Sequence, residues 1–191
     1  ANVISQVLET DLPMARHISF HQVHKLKKLV TFLAENVPSQ VNIQKLSSLT
    51  EISRPSVYEY LESLFQARLL NLISHPGAGY KKLSKPDKIY LENPNLAYAL
   101  SEDINTGTLR EAFFVNQIQN AFSHHPGILE SPIMSATQGD FCVQDKFTFE
   151  IGGKNKGTHQ IQDVPHSYVG ADGIEVGFGR KIPLWLFGFL Y

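Results

Sequence analysis

The stretch Gly139-Asp-Phe-Cys-Val-Gln-Asp-Lys-Phe-Thr-Phe-Glu-Ile-Gly-Gly-Lys-Asn-Lys156 decides how the rest of the chain is read. Phe141 and Val143 alternate with Asp140, Cys142 and Gln144, and Phe147, Phe149 and Ile151 alternate with Thr148 and Glu150. A period of two marks half-buried strands, so the segment is expected to form a hairpin. Opposed residues of an antiparallel pair project to one face, and a one-residue slip moves every side chain to the other. A two-residue turn would set Gln144 against Phe147 and mix the faces. With Gln144, Asp145 and Lys146 as the loop, Val143 pairs with Phe147, Phe141 with Phe149, Cys142 with Thr148, and Asp140 with Glu150. The third position of such a loop favours a left-handed residue, which Lys146 supplies poorly.

That register sets two carboxylates side by side, which is destabilising unless a cation, a lysine or a shared proton offsets the repulsion. Lys154 and Lys156 follow within reach of the strand end. An Asp on one strand, an acid on the next, a nearby Lys and a preceding helix bearing Glu111 resemble the core of the restriction-endonuclease-like, or PD-(D/E)xK, nuclease fold. The wording is closer to one group. Gly107-Thr-Leu-Arg-Glu-Ala-Phe-Phe-Val-Asn-Gln117, Phe149-Glu-Ile-Gly-Gly-Lys-Asn-Lys156 and Ile182-Pro-Leu-Trp-Leu-Phe-Gly-Phe-Leu-Tyr191 resemble the C-terminal half of a family of predicted bacterial and archaeal AAA-type ATPases. There a P-loop ATPase domain is followed by a winged helix and a nuclease-like domain of unknown function.

The resemblance implies a mixed α+β and α/β chain: a tail of a missing ATPase domain over 1–19, a winged helix over 20–92 and a restriction-endonuclease-like α/β/α domain over 93–191. It implies a site of Asp140, Glu150, Lys154 and Glu111, with Asp140 and Glu150 as ligands of an Mg²⁺ that would polarise a phosphate and activate a water. The chain departs from the pattern where the lysine should stand two positions after the acid. That place is Gly152, and Gly152-Gly153 would have to bend the chain so that Lys154 points back. The phosphate-holding loop Gly-x-x-x-x-Gly-Lys-Ser/Thr occurs nowhere in the sequence, so ATP is expected only on the absent N-terminal domain and no ATPase activity here.

Composition sets the outer bounds. The 191 residues, 42% apolar and 18% charged, suit one large core or two modest ones. Seventeen basic against eighteen acidic residues exert no global pull on nucleic acid, so a DNA contact would need a local patch. One cysteine excludes an internal disulfide framework, and with no signal peptide or membrane-length apolar run the expectation is cytoplasmic.

Before the hairpin, Glu9-Thr-Asp-Leu-Pro13 reads as a break. Val23, Leu26, Leu29, Val30, Leu33 and Val37 recur at helical spacing over 20–37. A shorter helix over 41–50 comes next, and then a third, capped by Ser53 with Pro55 in its first turn and Val57, Tyr60, Leu61, Leu64 and Phe65 as its apolar stripe. Strands over 69–73 and up to Leu91 complete three helices and a β-ribbon. In the functional reading, Arg54, Ser56, Tyr58 and Glu59 of the third helix face bases while Lys81, Lys82, Lys85 and Lys88 of the wing hold phosphates. In the plainer reading the winged helix is a packing module, because Glu59 and Glu62 repel phosphate; the two readings weigh evenly.

Pro94 opens a short connecting helix. Thr108 is expected to cap a helix over 109–122 that packs Leu109, Phe113, Phe114 and Ile118 on the sheet. Glu111 serves there either as the site's helix acid or, the preferred reading, as an acid favoured by the helix dipole. A short helix over 157–164 and a strand over 167–170 come after the hairpin, and the apolar run 182–191 is expected to close the core. Three functions stand: an accessory region of an AAA-type ATPase that binds DNA or protein, an Mg²⁺-dependent DNA nuclease, and a structural or oligomerisation module with degenerate sites. The expected partners are the ATPase domain of the full-length chain, DNA, and further copies of the chain.

Overall fold

The computed structural model describes residues 2–16, 18–36, 42–76, 86–102, 104–123 and 132–191. The chain is a mixed α+β protein with two sheets. It opens on α1 (Asn2–Gln6), a π-helical turn (Val7–Asp11) and α2 (Leu12–Arg16), which bury Ile4, Leu8 and Leu12. The expected break at Pro13 is therefore corrected. Proline has no amide to donate and its ring crowds the carbonyl four residues back. The helix widens instead: Leu12 N donates to Val7 O, five residues back, and Ile18 N does the same to Pro13 O at 3.2 Å. The first residues belong to the same buried cluster as the later helices.

The next helix, α3 (Phe20–Asn36), buries Val23, Leu26, Leu29, Val30 and Leu33 along one stripe. In α4 (Ile43–Thr50) the cap is Asn42, whose Oδ1 accepts from Lys45 N at 2.9 Å. Ser53 caps α5 (Arg54–Gln66), with Pro55 in its first turn and Val57, Tyr60, Leu61 and Leu64 buried, as the sequence leads one to expect. Antiparallel strands β1 (Leu70–Ile73) and β2 (Lys88–Leu91) form a ribbon in the register Leu70 to Leu91 and Ile73 to Lys88.

After α6 (Pro94–Leu100) comes α7 (Thr106–Ser123). Its cap is Asn105, whose Oδ1 accepts from Thr108 N at 3.1 Å; Thr108, the expected cap, already lies inside the helix. The second sheet runs β3-β4-β5-β6-β7: β3 (Ile133–Ser135), β4 (Phe141–Val143), β5 (Phe147–Gly152), β6 (Ser167–Ala171) and β7 (Lys181–Pro183). The first three are antiparallel neighbours and the last three parallel ones. On one face Phe114 of α7 meets Phe141, Phe149 and Phe187 at ring separations of 5.6, 4.9 and 4.9 Å. Elsewhere a smaller cluster of Ile161, Val169 and Ala171 forms where a 3₁₀ turn (His159–Ile161) stands in place of the expected helix.

The terminal apolar run fills less of the core than expected. A 3₁₀ segment (Leu184–Phe189) repeats every three residues, so only Leu184 and Phe187 turn inward, while Trp185, Leu186, Phe189, Leu190 and Tyr191 stay exposed. The expected division at residue 92 is not a break in packing. One buried cluster runs from Ile4 to Phe187, Tyr90 meets Phe141 at 5.9 Å, and Ser135 N donates to Ser74 O at 3.0 Å. Among the described residues no helix is long and apolar enough to cross a membrane.

Candidate functional site

The β4–β5 hairpin has the register that its alternation requires: Phe141 opposite Phe149, Cys142 opposite Thr148, Val143 opposite Phe147. In its turn Lys146 N donates to Val143 O at 3.2 Å. The left-handed residues are Gln144 (φ 53°) and Asp145 (φ 55°), not Lys146 as expected. Two left-handed residues in succession match the twist of the flanking strands.

At its open end the hairpin departs from the simple pairing. The ladder stops at Phe141–Phe149, and Asp140 N donates to Phe149 O at 2.9 Å, which shifts Asp140 out of step with Glu150. Its Oδ2 instead accepts from Ile151 N at 2.7 Å. Gly139 makes this possible. Its φ is 86°, and a β-carbon there would lie 3.0 Å from the side chains of Ile161 and Thr148 and 3.1 Å from Phe149 O.

Three carboxylates converge beside that bulge. Glu111 comes from α7, beyond its first turn, so the dipole account of this acid gives way to a specific one. Tyr90 Oη donates to Glu111 Oε2 at 2.5 Å, and Lys88 Nζ lies 3.4 Å from the same oxygen. Lys88 Nζ is also 3.6 Å from Asp140 Oδ1 and 4.7 Å from the centre of the Phe141 ring. Lys88, expected on phosphates, thus points into the acid site. Glu150 has 1% of its side chain exposed and pairs with Lys156 Nζ at 2.5 Å. With its amide nitrogen turned toward Glu150, Gln160 donates to Oε1 at 2.5 Å and Oε2 at 3.2 Å.

The charges act on one another. Burial pushes the Glu150 carboxyl above the usual range; the Lys156 hydrogen bond opposes this, and the charges of Asp140 and Glu111 add to it. Burial pulls the Lys156 ammonium down, but its bond to Glu150 and the charges of Glu150, Asp140 and Glu111 outweigh that and raise it. The two directions agree once hydration is compared. Glu150 is almost wholly buried whereas Lys156 keeps 36% of its side chain in solvent. Burial, then the charge and hydrogen bond of Glu111 and the charge of Asp140, raise the Tyr90 phenol, which stays a donor.

Lys154 is the main correction. It is exposed, and its backbone carbonyl rather than its ammonium is engaged, accepting from Lys181 Nζ at 3.0 Å. The lysine that reaches the site is Lys156, carried back by a turn in which Lys156 N donates to Gly153 O at 2.9 Å. Its chain crosses Gly152 so closely that a β-carbon at 152 would lie 2.8 Å from Cβ, Cγ and Cδ of Lys156. The glycine in the pattern's lysine position is what lets a later lysine take its place.

Of the expected DNA-contacting residues, Arg54 is exposed, Ser56 is engaged in the α5 cap with its Oγ 2.9 Å from Ser53 Oγ, and Tyr58 is half-buried. Lys81, Lys82 and Lys85 lie outside the described residues. The structure places Asp140, Glu150 and Glu111, all singled out in the sequence, close together, and adds Tyr90 and Gln160, which sequence reasoning left out of the site. Alternation along β2 puts Lys88 and Tyr90 on one face, though not which element that face meets.

The expected metal does not fit the site as arranged. Carboxylate oxygens suit a hard cation, yet among the described residues no three His, Cys, Asp or Glu side chains are placed to hold one. Each acid is met instead by the protein's own donors. No curated protein matches the chain, and no solved structure does. Residues 1–107, from the opening helix into the first turn of α7, match the model of a family described as Domain of unknown function (DUF8612), and the chain belongs to that family.

Proposed function

We propose that this chain is the C-terminal accessory region of an AAA-type ATPase, in which α3–α5 with the β1–β2 ribbon act as a winged helix and α7 with the five-stranded sheet as a restriction-endonuclease-like domain. Its role is to engage DNA or a partner protein for the ATPase. The observation that carries this reading is the meeting of Glu111, Asp140 and Glu150, from a helix, a bulge and a strand, with a lysine on Glu150. Those are the residue types that the resemblance implies for the site. The exposed Arg54 at the start of α5 would face bases, and the lysines that follow β1 in the sequence would supply the phosphate contacts. Fluorescence anisotropy with linear and branched duplexes tests it. Binding at low salt should fall steeply as salt rises and weaken in Lys81→Ala/Lys82→Ala/Lys85→Ala; unchanged affinity in that variant refutes the DNA arm and leaves a protein partner.

A second reading, an Mg²⁺-dependent DNA nuclease, is favoured by the Lys156 ammonium on Glu150, because a cation beside a site acid can stabilise charge developing on a phosphate. Cleavage of linear or branched DNA with Mg²⁺ or Mn²⁺, lost in Asp140→Ala, would establish it. No cleavage under either metal would leave the binding role.

A further inference from the structure

Three acids cluster at the bulge, and the protein's own cations and donors occupy the oxygens that a metal would use. We infer that Lys88 is the built-in cation of the acid site and holds the place that a divalent metal would take. The inference rests on the reading of Glu111, Asp140 and Glu150 as a functional site.

Lys88 Nζ stands between two of the acids, 3.4 Å from Glu111 Oε2 and 3.6 Å from Asp140 Oδ1. A hard cation bridging those carboxylates would need the same space and the same oxygens, at about 2.1 Å for Mg²⁺. Ammonium and metal are therefore alternative occupants. The lysine cannot swing aside freely. Its ammonium lies 4.7 Å from the centre of the Phe141 ring, and 24% of its side chain is exposed. Two residues on, and so on the same strand face, Tyr90 Oη bonds the same Glu111 oxygen. Just before β2, Asp87 Oδ2 accepts from Ser135 Oγ at 2.7 Å, a further tie between ribbon and second sheet. Three attachments within four residues, with Ile89, Tyr90 and Leu91 buried, hold the lysine at the site.

The arrangement also divides along the chain. Lys88 and Tyr90 lie within the family-matched residues 1–107, whereas all three acids lie beyond them. The matched segment thus supplies the cation and the later segment the acids.

The test is Mn²⁺ binding by the whole 191-residue chain, followed by electron paramagnetic resonance, with Lys88→Met as the variant; Met keeps an apolar stem near Phe141 and removes the charge. The variant should bind Mn²⁺ at least about tenfold more tightly than the wild type, and Asp140→Asn in the same background should abolish the gain. Affinity within about twofold of wild type overturns the inference. Should Lys88→Met fail to fold, the wild type itself decides. Saturating Mn²⁺ should displace the Lys88 ammonium and raise the rate at which an amine reagent labels it several-fold while leaving the exposed Lys146 unchanged, and unaltered labelling of Lys88 overturns the inference. DNA anisotropy on the same samples keeps the outcomes apart. A wild type that binds Mn²⁺ tightly with Lys88 still protected overturns the role of Lys88 alone, while absence of both DNA binding and cleavage overturns the underlying reading.

Discussion

Replacing Gly152 by Ala should dislodge Lys156 from Glu150. The new β-carbon would sit 2.8 Å from three carbons of the lysine stem, the near and not the far part of that side chain, so the ammonium cannot keep its place by a terminal rotation. Removing one partner of a fully buried ion pair costs about 3–5 kcal/mol. Here Lys156 keeps 36% exposure and the Gln160 amide stays on Glu150, so the loss should be about 2 kcal/mol. For a chain of this size that is a fall in Tm of roughly 4–8 °C. The effect should depend on pH. The Glu150 carboxyl is already raised in the folded protein, so the fold holds this proton more firmly than the unfolded chain does. Stability from this group is therefore lost as pH rises from the ordinary carboxylate value through the raised one. Displacing Lys156 removes an influence that lowers Glu150, extending that window upward; the deficit of the variant is greatest above the window and shrinks below it. Thermal unfolding of Gly152→Ala, Lys156→Ala and the double variant at several pH values reads this directly. If Gly152→Ala costs as much in the Lys156→Ala background as it does with the lysine present, the displacement account is refuted.

Three further outcomes rest on the same geometry. Gln144→Asn with Asp145→Gly gives the turn the residues that left-handed positions prefer and should raise stability by about 1 kcal/mol in denaturant melts; a lower midpoint refutes the turn assignment. Tyr90→Phe removes the phenol from Glu111 and should cost about 1.5–3 kcal/mol, read as a lower denaturation midpoint at unchanged slope. Burial, and then the Asp145 charge, raise the Cys142 thiol, so at pH 8 iodoacetamide should alkylate it several-fold more slowly than a free cysteine; an equal rate is the contrary result.

The hairpin was legible because alternation is a two-valued code: a one-residue slip puts Phe or Val against a polar residue. Ser53 was legible because a cap is settled within four residues. The bulge at Asp140 was not, since it depends on Gly139 fitting against Ile161, which is distant in sequence. Lys154 looked better placed than Lys156 because the nearer lysine seems the easier one to fold back; the path from 152 to 156 is a turn with no periodicity to read. Tyr90 and Lys88 reach Glu111 across more than twenty residues, a distance at which local pattern carries no information. Pro13 misled for the opposite reason. The local rule for a helix breaker holds for an α-helix, and a π turn evades it.

The stack of Tyr90, Phe141 and Phe114 has a bearing on how the molecule comes apart. These rings join the family-matched segment to the residues beyond it, so the edge of that match at residue 107, inside the first turn of α7, is no seam in the folded protein. A chain cut there would take from Tyr90 both the Phe141 ring and the Glu111 carboxylate. Heat or denaturant should then meet a single cooperative unit, with both sheets melting together, and the segment recognised by likeness would be half of a folding unit instead of one that stands alone.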